Sequence, residues 1–156
     1  MEACPCTRFS KALDTLEEVR RRCEEGALIK KSLVELHSDS AKWMAVHRCR
    51  VCGQLWASEY PFGGMHGGGP QCFYQVEAVD PSRWLAHAPL LTSMIAKTAE
   101  DRATWEQCGP EIGPEPCRTN GCSRRRVQHS VMCRRHHFVM IKGYEYEQPP
   151  PSDRDG

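Results

Sequence analysis

The segment Cys49-Arg50-Val51-Cys52-Gly53 separates two stretches, 43–49 and 54–60, that have the composition of β-strands. Two thiols three residues apart, followed by a glycine that readily adopts a positive φ, are typical of a tight turn that can bind a metal ion. A third stretch, 72–79, places alternate apolar residues on one face of a strand. We therefore predict a three-stranded antiparallel meander whose first turn carries two metal ligands.

Helices are predicted on both sides of this meander. Apolar residues recur at spacings of three and four over 9–25, which indicates one helical face, and Gly26 is positioned to end that helix. A second helix is predicted over 89–107, because Pro89 can open it and Gly109 can stop it. The stretch 27–36 is apolar and ambiguous between helix and strand. The predicted fold class is α+β, a small antiparallel sheet with flanking helices.

Composition excludes several classes of protein. The chain has 156 residues, 26% of them charged, and a net charge of +1, which is too balanced for a polycation that binds nucleic acid along its whole length. No run of 18 apolar residues occurs, so neither a membrane span nor a membrane partner is expected. The N-terminus lacks a basic region followed by an apolar run, so we expect no secretory signal and a cytoplasmic location.

Ten cysteines in a reducing compartment point to metal binding, since thiols there are more often metal ligands than disulfides. The pair Cys49 and Cys52 supplies half of a tetrahedral shell. Cys4 and Cys6, held on a short turn by Pro5, are the first choice for the other half. Two alternatives stay open, namely a site completed by His66 or Cys72 and a turn that binds no metal.

The strongest metal-binding pattern lies near the C-terminus, Cys117-x4-Cys122-x10-Cys133-x2-His136. Three thiolates and one imidazole form a closed tetrahedral shell of the kind that structural zinc prefers. Residues three apart on a helix share a face, so Cys133 and His136 can bind one ion. His137 is the alternative fourth ligand. With the first cluster, the sequence therefore predicts two zinc ions.

The segment from Cys117 to His137 resembles the small treble-clef-like zinc modules of bacterial and phage proteins. In these modules a cysteine pair that ends in Gly-Cys is followed by basic residues and then by a Cys-x2-His motif that opens a helix. This resemblance implies a zinc-held fold. The Cys-Arg-Arg-His-His string is also similar to the closing motif of HNH nucleases, but only His129 lies between the cysteine pairs and no asparagine follows it. The Cys49–Gly53 turn, with Trp56 after it, resembles the knuckle of a zinc ribbon.

The sequence divides into four parts by composition: an α+β domain over 1–110, a proline-rich linker over 111–116, a basic zinc module over 117–142 and a disordered tail over 143–156. Seven Lys or Arg residues and no acidic residue lie between positions 118 and 142. Six side chains are predicted to contact a partner: Arg124, Arg125, Arg126, Arg134, Arg135 and His66, the last in a glycine-rich loop.

Of three candidate functions, the first choice is a non-enzymatic zinc-binding protein that recognises a protein partner, and the other two are alternatives. The layout of a Cys-x2-Cys-Gly knuckle, a nearby tryptophan and a His-Gly-Gly-Gly loop is similar to cysteine-rich bacterial immunity-type proteins, which implies a non-enzymatic protein that binds and occludes a toxin. A nucleic-acid-binding regulator would use the basic zinc module. A small zinc-dependent hydrolase or nuclease would use His66, oriented by Glu59, or His137.

Overall fold

The computed structural model describes residues 4–63, 68–78 and 80–147. The chain divides into two compact units, Met1–Lys97 and Thr98–Gly156. Ten elements follow one another along it: α1 (Pro5–Arg8), α2 (Leu16–Glu24), α3 (Gly26–Lys30), β1 (Leu33–Asp39), β2 (Met44–Cys49), β3 (Leu55–Glu59), β4 (Cys72–Gln75), α4 (Pro81–His87), α5 (Leu91–Cys108) and α6 (Arg134–Lys142). The predicted α+β class is confirmed. None of the helices in the described part of the chain has the length and apolar character needed to span a membrane.

The sheet has four strands rather than the three predicted, and they pair antiparallel in the order β1-β2-β3-β4. The additional strand, β1, comes from the stretch that the sequence left ambiguous. That stretch contains a short helix, α3, followed by a strand that pairs from Leu33 opposite Cys49 to Asp39 opposite Met44. An irregularity in register between Glu35 and His37 interrupts this pairing. Two short elements of different period explain why no single periodicity emerged.

The predicted helix over 9–25 is wrong at its N-terminal half. Helix α2 begins only at Leu16, because Thr15 forms a capping box with Glu18: the Thr15 hydroxyl accepts from the Glu18 amide, and the Glu18 carboxylate accepts from the Thr15 amide. Phe9 and Leu13 lie before this cap and are buried without being helical. The apolar spacing therefore identified buried positions correctly, but it predicted a helix where the chain becomes helical only from Leu16 onward.

Gly26 begins helix α3 instead of ending the preceding helix. A Cβ atom at this position would lie 2.7 Å from the backbone oxygen of Gln71, which is closer than a carbon atom can approach. The residue is glycine because two backbones come together here, a reason that is invisible in the local sequence.

The sheet is covered on both faces in the first unit. One face packs against α2 and α4 through a buried apolar cluster of Val19, Leu85, Val46, Ala57 and their neighbours. The opposite face holds a second cluster. Its buried members are Phe9, Ile29, Leu33, Cys49, Trp56 and Phe73. Because successive strand residues point to opposite faces, the short strands supply both clusters at once.

In the second unit, aromatic side chains from α5, α6 and the following segment pack together. The indole of Trp105 stacks on Tyr146 with ring centroids 4.5 Å apart, and Phe138, which is fully buried, contacts Trp105, Tyr144 and Tyr146. Residues 144–146, which the sequence assigns to a disordered tail, thus belong to this packing, while 148–156 lie outside the described residues. The proline-rich segment 111–116 also lies within this unit.

Glu59 is a fully buried acidic residue at the end of β3. Its Oε2 accepts hydrogen bonds from the backbone amide of Thr92, at 2.7 Å, and from the Thr92 hydroxyl, so it caps the first turn of α5. Burial raises the pKa of this carboxyl, and hydrogen bonds from Thr92, Leu91 and Ser93 offset part of that rise. Glu59 therefore caps α5, and its predicted role in orienting His66 stays a prediction because His66 lies outside the described residues.

Replacing Glu59 with Gln should remove a pH dependence of stability. A carboxyl whose pKa is raised on folding stabilises the native state fully below its ordinary pKa, and that contribution is lost as the pH rises through the raised value. The free energy of unfolding of the parent minus that of Glu59→Gln should therefore fall as the pH rises above the ordinary carboxyl pKa of 4.5, by at most about 1.4 kcal/mol per pH unit. Urea titrations at several pH values measure this difference. The exposed Glu24→Gln change should leave the difference flat, and an equally flat curve for Glu59→Gln would contradict the prediction.

Candidate metal centres

Four cysteines from distant parts of the first unit converge in one cluster, here called the N-terminal cluster: Cys4, Cys6, Cys49 and Cys52. Their Sγ atoms all lie within 4.8 Å of one another. The separation is 3.8 Å between Cys4 and Cys49, 3.4 Å between Cys4 and Cys52, and 3.3 Å between Cys52 and Cys6. The four thiols can hold one metal ion.

The Cys49 and Cys52 thiols are placed by the turn between β2 and β3. The Cys49 amide donates to Gln54 O at 2.9 Å, and the Gly53 amide donates to Cys49 O, also at 2.9 Å, with Gly53 at φ +80°. This left-handed glycine lets the chain reverse immediately after the second thiol, as the sequence predicts.

The Cys4 and Cys6 thiols are held by contacts from the sheet to the α1 segment. The Trp56 indole Nε1–H donates to Cys6 Sγ at 3.3 Å, and the Gln75 side-chain amide donates to the backbone oxygens of Cys6 and Phe9. Trp56 is fully buried and Cys6 is half-buried, so this hydrogen bond is partly sheltered from water. Strands β3 and β4 thus position Cys6, which lies 50 residues before Trp56 and 69 residues before Gln75.

One thiol in each cluster is predisposed to ionise. A hydrogen bond from the Gln54 backbone lowers the pKa of Cys52 to about 7, with further lowering by the neighbouring thiols. Burial acts to raise the pKa of Cys117, but hydrogen bonds from Thr119 and other neighbours, His136 among them, outweigh it and lower the value to about 6. Thiolate is the form that ligates metal, so both shifts favour metal binding near neutral pH.

The second cluster, here called the C-terminal cluster, contains Cys117, Cys122, Cys133 and His136, whose ligand atoms also lie within 4.8 Å of one another. His136 Nδ1 is 3.4 Å from Cys117 Sγ and 3.2 Å from Cys133 Sγ, and the Sγ atoms of Cys122 and Cys133 are 3.9 Å apart. All four donors come from within the second unit.

A small hairpin and a helix start present these ligands. The hairpin carries Cys117 and Cys122: the Cys117 amide donates to Arg124 O at 2.8 Å, and Gly121 adopts φ +77° just before the second thiol. Cys133 is the N-cap residue of α6, and His136 is the third residue of that helix. The first turn of the helix therefore directs both ligands to one side, as their i, i+3 spacing predicts.

The alternative ligands of the sequence analysis lie elsewhere. Cys72 is buried in the apolar cluster beneath α2, with its Sγ near the backbone oxygen of Val19. His137 is not a member of the C-terminal cluster, and its Nδ1 is buried without a hydrogen-bond partner in the described part of the chain. His66 lies outside the described residues, so its predicted roles as ligand or partner contact stay predictions.

Most of the arginines predicted to contact a partner are engaged within the second unit. Arg124 forms a two-point ion pair with Glu111, Arg135 forms one with Glu145, and Arg126 pairs with Glu115. Arg134 donates from Nε to Trp105 O at 2.8 Å and lies 4.7 Å above the Trp105 ring. Arg125 has no such partner among the described residues. Acidic residues on both sides of the basic module thus neutralise much of its charge.

Comparison with protein-family models, curated proteins and solved structures finds no match to this chain. The resemblances drawn from the sequence therefore gain no support from whole-chain similarity. What the structure adds is the convergence of two Cys/His clusters, each of which can hold a metal ion.

Trp56 and Gln75 are the functional residues that the sequence analysis missed as supports for the ligands. Both act on Cys6 or its segment, from strands that lie far from it in sequence. The available signal was weak: a tryptophan four residues after Cys52 and a glutamine in an otherwise apolar strand. Neither pattern distinguishes a residue that supports a metal ligand from an ordinary strand residue.

Replacing Trp56 with Phe should weaken metal binding at the N-terminal cluster by about 10-fold to 100-fold, because the ring is retained while the N–H donor to Cys6 is lost. Competition with a chromophoric chelator measures this affinity. The C-terminal cluster in the same variant serves as the internal control and should be unchanged. Unaltered affinity at both clusters would show that the indole N–H does not support the ligand.

Proposed function

We propose that this protein is a non-enzymatic zinc-binding protein in which two structural zinc ions shape a surface that recognises a protein partner. The observation that carries the proposal is the completeness of both clusters: each offers four Cys or His donors. Structural zinc sites are closed in this way, whereas catalytic sites keep one coordination position open for water or substrate.

The spacing of the donors supports zinc as the metal. Zinc–sulfur bonds of about 2.3 Å in a tetrahedron place two sulfur atoms about 3.8 Å apart, and a sulfur and a nitrogen atom about 3.5 Å apart. The Sγ separations here are 3.3–3.9 Å, and the Sγ–Nδ1 separations are 3.2 and 3.4 Å. Soft thiolate donors in such a shell favour zinc over magnesium or calcium.

The chain supplies both the ligands and the groups that orient or ionise them. In the N-terminal cluster, the Trp56 N–H orients Cys6, and the Gln54 amide stabilises Cys52 as thiolate. When bound, zinc would join the α1 segment to the β2–β3 turn. In the C-terminal cluster it would join the Cys117 hairpin to the start of α6. Both roles are structural, which supports the non-enzymatic interpretation.

A protein is the favoured partner because the described surface exposes large apolar side chains, whereas most of its candidate arginines are paired with carboxylates. At the end of α6, Met140 and Ile141 are 59% and 53% exposed, and protein interfaces commonly bury such residues. By contrast, three of the five arginines predicted to contact a partner are paired with carboxylates, which weakens the case for phosphate binding. An immunity-type inhibitor is the more specific form of this hypothesis, and it rests on the sequence resemblance alone.

Native mass spectrometry of the parent chain and of Cys49→Ser and Cys117→Ser tests the metal assignment. We expect two zinc ions in the parent and one in each variant, because each substitution opens a different four-donor shell. A Cys23→Ser variant serves as a matched control, since that thiol lies in neither cluster, and it should keep both ions. A parent chain with fewer than two ions, or with iron in place of zinc, would overturn the assignment.

The partner hypothesis predicts a stoichiometric complex that depends on the end of α6. Size-exclusion chromatography with native mass spectrometry, applied to material captured from the source cell, should reveal a protein bound at a fixed ratio. The Met140→Ser/Ile141→Ser double variant should lose at least about tenfold in affinity while keeping both zinc ions. Leu28→Ser, an equally exposed apolar residue in the first unit, is the control. Binding of nucleic acid in place of protein, with steep salt dependence, would favour the regulator hypothesis instead.

A further inference from the structure

A cleft of about 230 Å³ opens on the sheet of the first unit and shares no residue with the N-terminal cluster. The side chains that line it lie in or next to all four strands of the sheet. They include Glu35, Asp39, Trp43, Ser58, Tyr60 and Gln71. None of these residues has a role in the metal sites. The cleft therefore needs an explanation of its own.

Two aromatic rings form one corner of the cleft. The rings of Trp43 and Tyr60 are nearly perpendicular, at 87°, with centroids 6.4 Å apart. The contact is of the edge-to-face type. A cation binds over one aromatic face within about 6 Å of the ring centroid. Trp43 is 48% exposed, an unusual surface position for the largest apolar side chain. The half-exposed Trp43 ring, with Tyr60 beside it, thus gives the cleft an aromatic wall against which a cation can bind.

The charge around the cleft is negative. Glu35 and Asp39 line it, and no Lys or Arg does so among the residues that the structure describes. Lys42, which adjoins Trp43 in sequence, is turned away, since its Nζ donates to the backbone oxygens of Leu85 and Ala86 at 3.0 and 3.1 Å. Glu35 forms no ion pair with any described residue, so its carboxylate is free to attract a ligand.

The floor of the cleft is polar and uncharged. Ser58 Oγ lies 2.8 Å from His47 Nε2 and accepts a hydrogen bond from the Gln71 amide at 3.0 Å. His47 is buried and faces Glu35 on β1 and Lys30 on α3, and burial lowers its pKa, so the imidazole is neutral. The neutral imidazole of His47 can accept a hydrogen bond from the Ser58 hydroxyl. It adds no positive charge that would repel a cation.

We propose that this cleft binds an alkylated ammonium group of the trimethylammonium type. Aromatic faces attract such cations because their charge is spread over methyl groups and their hydration is weak. A primary ammonium is more strongly hydrated, and a metal ion would need more oxygen donors than the two carboxylates supply. The proposal is independent of the zinc assignment and goes beyond it, since it assigns a ligand class to a second site.

The test uses choline as the probe and the Trp43 indole N–H signal in NMR spectra of the full-length, metal-loaded chain as the readout. Loss of one indole signal in Trp43→Phe assigns that signal. We expect a saturable shift with choline, and binding at least about tenfold weaker for the neutral isostere 3,3-dimethylbutan-1-ol, which has the same shape without the charge. N-acetyl-trimethyllysine amide forms a second arm, which distinguishes a free small molecule from a modified side chain as the source of the same group.

Variants locate the binding in the cleft. Trp43→Ala should weaken choline binding at least about tenfold, Trp43→Phe should retain most of it because a ring remains, and Glu35→Gln should weaken it by about threefold to tenfold. Glu24→Gln, an exposed carboxylate outside the cleft, is the matched control and should not change it. Far-UV circular dichroism and the thermal unfolding midpoint of each variant show whether the fold is retained.

Three outcomes would overturn the proposal. One is the absence of a saturable shift with either ammonium probe on a folded parent chain. Another is equal affinity for choline and its neutral isostere, because binding would then depend on shape and not on charge. The third is a loss of affinity in Glu24→Gln as large as that in Glu35→Gln, which would indicate attraction by net charge without a site.

Discussion

The convergence of Cys4 and Cys6 on the β2–β3 turn is the constraint on which the first unit depends. These thiols join positions more than 40 residues apart, and closing a loop of that length costs conformational entropy that a metal ion can offset. Once the α1 segment is fixed there, Phe9 is carried onto the face of the sheet that also holds Trp56 and Phe73. The opposite face is covered independently by α2 and α4. One of the two layers around the four-stranded sheet thus depends on a ligand set that no single segment provides.

In the second unit, the four metal ligands come from one short stretch of the chain. Its ligands span 20 residues, and its apolar packing is a cluster of aromatic rings around Phe138. The arginines that gave the sequence its basic character are held by acidic residues before and after them, so the charge that is segregated along the chain is largely balanced in space. A linear count of charge therefore overstates the potential that a phosphate would meet.

Spacing rules predicted what is local. The i, i+3 relation of Cys133 to His136 and the glycine after Cys52 follow from helix and turn geometry, and the fold class follows from alternating and helical periodicities. The contacts that cross the chain were not predictable in this way. Strand β1 is defined by its pairing with β2, Gly26 by the approach of Gln71, and Glu59 by the start of α5 more than 30 residues later. The pair of Trp43 and Tyr60 is likewise created by the tertiary fold, since neither residue belongs to a recognisable motif.

The irregularity in β1 between Glu35 and His37 has a consequence for the protein's behaviour at high concentration. β1 is the last strand on one side of the sheet, and such a strand offers unpaired amides and carbonyls to any other extended chain. A bulge breaks the even spacing of those groups and bends the strand, so a second copy cannot continue the ladder along its length. The acidic Glu35 and polar His37 and Ser38, all exposed on this strand, oppose stacking further. The irregularity in β1 is thus of the kind that opposes edge-to-edge aggregation.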